Sequence, residues 1–228
     1  MPKIIVVPTP LGNLSDFSER TKLALIEADV WFVEDTRVSI KLQSILGVRK
    51  PMKTVNEHSQ DDQLRSILRD LGDQTAAILS DAGTPCISDP GARLIDLAYE
   101  EEIEVEGLPG PSAVPLALSL SGFYAQRYAF LGFLGRKAGA IRSELEPFKD
   151  SPYTLVFFES PFRIDALIEV AGEVLGPRRY AVCRELTKIH EQVVRGTLPN
   201  RPTLKEMPRK GEITFVIEGR RKSRETKD

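Results

Sequence analysis

The sequence has few cysteines and histidines and lacks the common glycine-rich nucleotide motifs. Cys86 and Cys183 are the two cysteines among 228 residues, which excludes a disulfide framework or a cysteine-based zinc site. The two histidines have no spaced acidic partner, so we predict no metal site. Neither G-x-G-x-x-G after the first predicted strand nor G-x-x-x-x-G-K-[ST] occurs. This absence argues against a simple dinucleotide enzyme and against a P-loop ATPase.

The sequence also lacks a strong excess of one charge and any long apolar run. Its formal net charge is −2, so nucleic-acid contacts would have to come from local patches such as Arg136 with Lys137. No apolar run approaches membrane-spanning length, and the amino terminus is too short for a signal peptide. We therefore expect a cytoplasmic protein. The length allows a sizeable core, and 41% hydrophobic residues is an ordinary share for a globular chain.

Apolar runs alternate with amphipathic stretches in the first half of the chain. Strands are predicted at residues 4–7, 30–33, 75–79 and 103–105. Helices are predicted at residues 18–28, before Gly47, from Asp61 onward, at 92–98 and at 114–120. This alternation is typical of the α/β class and predicts a parallel, doubly wound amino-terminal sheet.

The second half has a different pattern, with two predicted strands close together near its end. Strands are predicted at residues 128–131, 153–158, 180–183, 191–197 and 212–218. Neighbouring late strands predict a mixed sheet in a carboxyl-terminal α/β domain. We place the domains at residues 1–122 and 123–219, followed by a polar tail at 220–228.

Residues 80–91 form a loop around which the sequence is organised. They follow a predicted buried strand and precede a predicted helix, so they lie at the carboxyl edge of a sheet, where ligands bind in open α/β folds. Small residues allow a ligand to approach the backbone, and two prolines restrict the loop. From the residues alone, both a ligand-binding loop and an ordinary long turn remain open.

Charged clusters follow several predicted strands, at residues 34–37, 159–163 and 184–188. At residues 34–37, Glu-Asp-Thr-Arg could supply a general base beside an anion-binding arginine. The alternative is a helix cap with a surface ion pair. Recurrence at separate strand ends favours one composite cleft.

Six stretches of the sequence resemble motifs of a known family and occur in the same order along the chain as in that family. They are residues 7–14, 34–37, 80–91, 108–113, 158–161 and 184–188. Together they resemble the ribosomal RNA small subunit methyltransferase I branch of the tetrapyrrole methylase superfamily. The resemblance implies a two-domain fold that binds S-adenosylmethionine in the cleft between domains. It also implies 2′-O-methylation of a cytidine ribose in the decoding region of 16S rRNA, with the small ribosomal subunit as partner, and a homodimer. Many members carry a further carboxyl-terminal helical domain that this sequence does not reach, and Cys86 stands where the branch often has glycine.

The resemblance assigns roles by position. Cofactor contacts fall on Leu11, Ala82, Gly83, Thr84, Ile87, Ser112, Ala113, Glu159 and Leu186. The proposed base of ring-methylating relatives falls on Asp35. We expect four cations to hold RNA phosphates around the target nucleotide, namely Arg37, Arg163, Arg184 and Lys188. Two alternatives remain: C-methylation of a tetrapyrrole ring such as uroporphyrinogen or a corrinoid, and a non-catalytic ribosome-assembly factor that binds RNA.

Overall fold

The structure is a computed structural model that describes residues 1–221. The predicted polar tail lies outside the described residues from residue 222 onward. The chain divides into two compact units, one of residues Met1–Ser112 and a second that begins at Ala113. The predicted boundary after residue 122 differs from this division by one helix, whose packing is described with the second unit.

The first unit contains a five-stranded parallel sheet. Its strands are β1 (Lys3–Val6), β2 (Val30–Val33), β3 (Met52–Thr54), β4 (Thr75–Ile78) and β5 (Glu104–Gly107), in the order β3-β2-β4-β1-β5. Every neighbouring pair is parallel, which confirms the predicted α/β class. Strand β3, three residues long at the edge of the sheet, is not among the predicted strands.

Helices cover both faces of this sheet, as a doubly wound fold requires. They are α1 (Glu19–Glu27), α2 (Thr36–Leu46), α3 (Asp61–Arg69) and α4 (Ala92–Glu100). Phe32 packs in one core with residues of α3 and α4, whereas the adjacent Trp31 packs in another core with residues of α1 and α2. Ser18 caps α1, and Gly47 ends α2 with a φ of 67°, because a left-handed residue at this position favours glycine.

The connections that leave the neighbouring strands β4 and β1 run in opposite directions along the sheet. The chain leaves β1 towards β2 on one side of the sheet, and it leaves β4 towards β5 on the other. Because β1 and β4 are neighbours, the connections that follow them lead in opposite directions, which is the arrangement at which open α/β sheets bind ligands outside their carboxyl edge. Residues 80–91 follow β4 at this switch point, so their predicted place at the edge of the sheet is confirmed.

The second unit contains a five-stranded mixed sheet. Its elements are α5 (Ala113–Ser121), β6 (Tyr128–Phe130), α6 (Ala138–Leu145), β7 (Thr154–Glu159), α7 (Ile164–Leu175), β8 (Arg179–Arg184), β9 (Gln192–Thr197) and β10 (Ile213–Ile217). The order is β6-β7-β10-β8-β9, with β6 and β7 parallel and the other pairs antiparallel. The predicted mixed sheet is confirmed, and the carboxyl ends of β6, β7 and β8 share one edge.

Two cores lie on the two faces of this second sheet. Helices α6 and α7 pack on one face around Phe157 and Phe215. Helix α5 packs on the other face, where Val114 and Ala117 meet Val156, Ala181 and Val216. This packing explains why α5 belongs with the second unit although it precedes residue 122. Within residues 1–221, none of the helices has both the length and the apolar character that a membrane crossing requires.

Candidate functional site

The loops that follow β1 and β4 are hydrogen-bonded to each other at the switch point. The Thr9 N–H donates to the Gly83 carbonyl at 2.9 Å, and the Gly83 N–H donates back to the Thr9 carbonyl at 3.1 Å. The Thr9 hydroxyl also donates to the Ser80 carbonyl at 3.1 Å. These bonds satisfy buried backbone groups and hold the two loops at a fixed separation.

A third loop, which follows β5, joins this pair. The Thr84 hydroxyl donates to the Pro111 carbonyl at 2.9 Å. A Cβ atom at Gly110 would lie 2.2 Å from Cγ of Pro8, so a side chain there would push the β1 and β5 loops apart. Only glycine allows this approach. We call the three loops, residues 7–14, 79–91 and 108–112, the switch-point loops.

The β4 loop contains several residues in the left-handed backbone region. Gly83 has a φ of 86°, Cys86 of 68°, Ser88 of 57° and Gly91 of 116°. Non-glycine residues in this region carry strain, and such strain clusters at functional sites. The conformation of Cys86 accounts for the glycine that the resemblance gives at this position. Burial raises the pKa of the Cys86 thiol to about 11, so it is neutral at physiological pH.

The switch-point loops contain six of the nine predicted cofactor contacts, namely Leu11, Ala82, Gly83, Thr84, Ile87 and Ser112. Leu11 lies against Gly83, where a Cβ atom would come within 2.9 Å of Leu11 Cδ2. Ile87 is 47% exposed and Ala82 is exposed. The switch-point loops thus present apolar side chains and backbone edges at the carboxyl end of the sheet, where a small molecule could contact them.

Asp35 lies where the sequence places it, at the carboxyl end of β2, but its carboxylate is already engaged. It accepts the Arg37 backbone N–H at 2.8 Å as the cap of α2. It also accepts Arg37 Nη2 at 2.6 Å and Nε at 3.0 Å. These bonds lower the pKa of Asp35 to about 2. The structure thus shows the helix cap and ion pair, one of the two interpretations of residues 34–37, and the catalytic role stays a prediction.

Three other carboxyl groups at this edge carry raised pKa values. Burial raises the pKa of Asp89 to about 6, with the charge of Asp81 adding to the effect. Burial, followed by neighbouring carboxylates, also raises the pKa values of Glu34 and Asp81. No sequence pattern groups these residues, because Glu34 and Asp81 come together only through the pairing of β2 with β4. Their negative charge suits a cationic ligand.

Glu159 is the predicted cofactor contact at the carboxyl end of β7. Its side chain is buried, and Oε1 accepts the Ser160 N–H at 2.7 Å. Oε2 lies 3.3 Å from Arg163 Nη2 but has no hydrogen bond within residues 1–221. Burial raises the pKa of Glu159. An under-satisfied buried carboxylate is costly in a core and is a natural acceptor for a ligand hydroxyl or amine.

Two of the four cations predicted to bind RNA phosphates are occupied by backbone carbonyls. Arg163 Nη2 donates to the carbonyls of Leu134 and Gly135, both at 3.0 Å. Arg184 donates to the carbonyls of His190 and Lys210, both at 3.1 Å. Each arginine therefore connects loops that are distant in sequence.

The other two predicted cations are ion-paired. Lys188 Nζ lies 3.1 Å from Glu185 and 3.0 Å from Glu212, and Arg37 holds Asp35. The contacts of all four cations are intramolecular, and their role towards RNA stays a prediction.

Leu186 and Ala113 complete the predicted cofactor contacts of the second unit. Leu186 is 6% exposed and packs in the core beneath α5, against which Ala113 also lies. The neighbours of Leu186 are both left-handed, with φ of 51° at Glu185 and 65° at Thr187. The buried Thr187 hydroxyl has no hydrogen-bond partner within the described part of the chain. This strained turn resembles the β4 loop in its backbone.

No group of three histidine, cysteine, aspartate or glutamate side chains in residues 1–221 is arranged to hold a metal ion. The carboxylates of Glu34, Asp81 and Asp89 therefore contribute negative charge at this edge of the sheet and no metal site.

The architecture defines a class of fold that solved methyltransferases share. The uroporphyrin III C-methyl transferase of Thermus thermophilus superposes with a TM-score of 0.62 over 96% of this chain and 97% of that one, at 19% identity. The methyltransferase CobJ superposes with a TM-score of 0.67 over 97% of this chain and 95% of that one, at 14% identity. At these identities the similarity establishes the fold.

Sequence comparison identifies the family. The family described as Tetrapyrrole (Corrin/Porphyrin) Methylases matches residues 3–201. A ribosomal RNA small subunit methyltransferase I of Mycobacterium tuberculosis (strain ATCC 25618 / H37Rv) is 43% identical over 95% of this chain and 78% of its own. A protein of the same name from Thermotoga maritima is 38% identical over 96% of this chain and 100% of its own. The chain belongs to the tetrapyrrole methylases and, within them, to the ribosomal RNA small subunit methyltransferase I group, which confirms the resemblance.

Proposed function

We propose that this protein transfers the methyl group of S-adenosylmethionine to the 2′-hydroxyl of a cytidine ribose in the decoding region of 16S rRNA. The observation that carries the proposal is the 38–43% identity, over nearly the whole chain, to proteins named ribosomal RNA small subunit methyltransferase I. The coarser statement, that the chain is a methyltransferase, rests on the family itself.

The described residues fit the cofactor. S-adenosylmethionine supplies an electrophilic methyl group on a positively charged sulfonium. The absence of a Cβ atom at Gly83 and Gly110 lets Leu11 and Pro8 pack closely against them, which holds the switch-point loops together as one scaffold. The carboxylates of Glu34, Asp81 and Asp89 favour a cation nearby. In the second unit, Glu159 Oε2 lies beside Arg163 but has no hydrogen bond within residues 1–221, which leaves it able to accept a ligand hydroxyl.

The proposed cofactor residues come from both units. Those of the first unit are Leu11, Ala82, Gly83, Thr84, Ile87 and Ser112, and those of the second are Ala113, Glu159 and Leu186. Their work is positioning, because an in-line displacement needs the ribose oxygen aligned with the methyl carbon. Alignment alone contributes on the order of 7–11 kcal/mol in favourable intramolecular cases. The 2′-hydroxyl must also lose its proton as the new C–O bond forms.

For the proton acceptor we consider two carboxylates of different basicity. Asp35 is ionised at neutral pH, but a pKa of about 2 makes it a weak base. Asp89, with a pKa of about 6, lies nearer the value at which a general base works best. Separate Asp35→Asn and Asp89→Asn proteins, compared in single-turnover methylation across pH, distinguish them. In the unaltered chain, the methylation rate should fall at low pH as the acceptor becomes protonated. The acceptor is the residue whose replacement by asparagine abolishes this fall.

The decisive experiment maps the product. Small ribosomal subunits from cells lacking the protein are incubated with it and labelled S-adenosylmethionine, and the RNA is then mapped by mass spectrometry. We expect one new 2′-O-methylcytidine in the decoding region. Uroporphyrinogen is the competing substrate, because the fold is shared with a uroporphyrin III C-methyl transferase. Label in uroporphyrinogen and none in RNA would contradict the proposal, as would cofactor binding without turnover on either substrate.

An rRNA substrate places the proposed activity in the cytoplasm. We also propose a homodimer, which sedimentation of the purified chain tests directly. A monomer at working concentration that retains full activity would contradict the homodimer.

A further inference from the structure

The carboxyl edge of the second sheet carries two exposed aromatic side chains. Phe162, in the loop after β7, is 84% exposed, and Phe133, in the loop after β6, is 62% exposed. Because β6 and β7 are parallel neighbours, both loops leave the same edge of the sheet. An exposed phenylalanine forgoes the stabilisation that burial would give it, so two on adjacent loops indicate a binding role.

The two loops are connected to each other by Arg163. This residue follows Phe162 directly, and its Nη2 donates to the carbonyls of Leu134 and Gly135, which follow Phe133. The arginine that the sequence analysis assigned to RNA phosphates therefore fixes the separation of the two aromatic loop tips.

The β6 loop has further support along its length. The Phe133 ring lies against Phe158, with ring centroids 5.6 Å apart. The Gly135 N–H donates to Glu144 Oε1 at 2.9 Å, and a Cβ atom at Gly135 would lie 2.6 Å from Ala140 Cβ. The loop is therefore held at both its aromatic residue and its glycine, which makes its tip a preformed surface.

Two cations extend this surface. Arg136 and Lys137 follow the β6 loop tip and are exposed. Neither forms an ion pair with a side chain of residues 1–221 within 4.0 Å. Exposed aromatic rings beside unpaired cations are the combination with which proteins hold single-stranded nucleic acid, the rings stacking on bases and the cations meeting phosphates.

We propose that one surface of the second unit binds single-stranded RNA next to the methylated nucleotide. We call it the loop-tip surface, and it consists of Phe133, Phe162, Arg136 and Lys137. Phe162 and Phe133 stack on nucleobases, and Arg136 and Lys137 contact the adjoining phosphates. This inference rests on the proposed RNA substrate and names the part of the chain that recognises it.

The test measures RNA affinity of the full chain with a short fluorescent single-stranded oligoribonucleotide, at several salt concentrations. Phe162→Ala should weaken binding about 5- to 150-fold, the range expected for loss of one stacked base, without changing the salt dependence. Phe162→Leu should bind RNA as weakly as Phe162→Ala does, because stacking needs a ring. Phe162→Trp, which keeps a ring, should bind RNA about as tightly as the unaltered chain. Tyr99→Ala is the matched control, since Tyr99 is a 63% exposed aromatic on α4 of the first unit, and it should bind RNA like the unaltered chain.

The charged pair is tested by the slope of affinity against salt. Arg136→Gln together with Lys137→Gln should flatten the logarithmic slope by about 1.4, because each phosphate contact to a single strand contributes roughly 0.7. An unchanged slope would overturn the phosphate contacts. S-adenosylhomocysteine binding, measured by calorimetry, should be unaltered in every variant and verifies that each one is folded.

Three results would overturn the stacking role. The first is that Phe162→Ala binds RNA as tightly as the unaltered chain, and the second is that Phe162→Leu does so. Alternatively, Phe162→Ala could dissociate a dimer while RNA affinity stays the same, which would make the surface a contact between copies. If the unaltered chain binds RNA through Phe162 but methylates no ribosomal RNA, the proposed function fails and the RNA surface stands. If it methylates and Phe162→Ala changes neither affinity nor KM, only the surface fails.

Discussion

Replacement of Gly83 by alanine tests how closely the switch-point loops must approach. The new Cβ atom would lie 2.9 Å from Leu11 Cδ2 and 3.4 Å from the Pro111 carbonyl oxygen, in a residue whose φ is 86°. The left-handed conformation costs an L-residue roughly 1–2 kcal/mol. Displacing the Leu11 side chain from its rotamer adds about 0.5–1.5 kcal/mol. We therefore expect the free energy of unfolding to fall by about 1.5–3.5 kcal/mol in total.

Gly47→Ala separates the two contributions. Gly47 has a φ of 67°, and its new Cβ atom would have no neighbour within 4 Å. It should therefore lose only the roughly 1–2 kcal/mol of the backbone. Urea unfolding of both variants measures the difference, which reports the contacts with Leu11 and Pro111 without the shared backbone cost.

Cofactor affinity provides the second measurement for the same pair. Because Leu11 is a proposed cofactor contact, Gly83→Ala should weaken S-adenosylmethionine binding about tenfold, a change of roughly 1.4 kcal/mol. Gly47→Ala, at the end of α2, should bind as the unaltered chain does. Calorimetric titration gives both dissociation constants. Equal affinities for the two variants would refute the assignment of the switch-point loops to the cofactor.

Three further predictions concern single side chains. Arg37→Ala should raise the pKa of Asp35 from about 2 towards its ordinary 3.8, and NMR titration of the carboxyl carbon measures this change. In the unaltered chain, the stabilisation that Asp35 gives is present above pH 3.8 and is lost as the pH falls through about 2. The folded chain holds the Asp89 proton up to about pH 6, against 3.8 when unfolded, so its contribution to stability is full below about pH 3.8 and is lost as the pH rises through about 6. Asp89→Asn should remove this part of the pH dependence of the urea midpoint, and an unchanged profile would contradict the raised pKa. Tyr180→Phe deletes the hydrogen bond to the Asn200 carbonyl at 2.6 Å and should cost about 1 kcal/mol in urea unfolding; no loss would show that water replaces the hydroxyl.

The local signals in the sequence predicted most elements because they act over a few residues. Ser18 caps α1 and Gly47 ends α2 where their chemistry indicates. Strand β3 was not identified, because it has three residues, Met52–Thr54, and no continuous apolar run. Its place at the edge of the sheet follows from pairing with β2, which local pattern does not encode.

The roles of charged residues were harder to predict, because their partners are distant in sequence. Arg163 looked free to bind phosphate, yet its carbonyl acceptors lie 28 and 29 residues away. Arg184 likewise reaches the Lys210 carbonyl, 26 residues away. By contrast, the contact of Asp35 with Arg37 spans two residues, and the cap with an ion pair was one of the interpretations available from sequence.

The pairing of β1 has a consequence for the order in which the nascent chain folds. Lys3 pairs with Thr75 on one side and with Glu104 on the other, so the first strand made is the one that waits longest for its neighbours. At about 5–20 residues per second, ribosomes need roughly 5–20 s to synthesise the intervening hundred residues. Until β4 and then β5 are made, β1 lacks one or both of its neighbours, and such unpaired strands make chains prone to associate wrongly or to bind chaperones. All five strands of the first sheet precede those of the second in the chain, so the first sheet can close while the last strand of the second, β10, has still to be made.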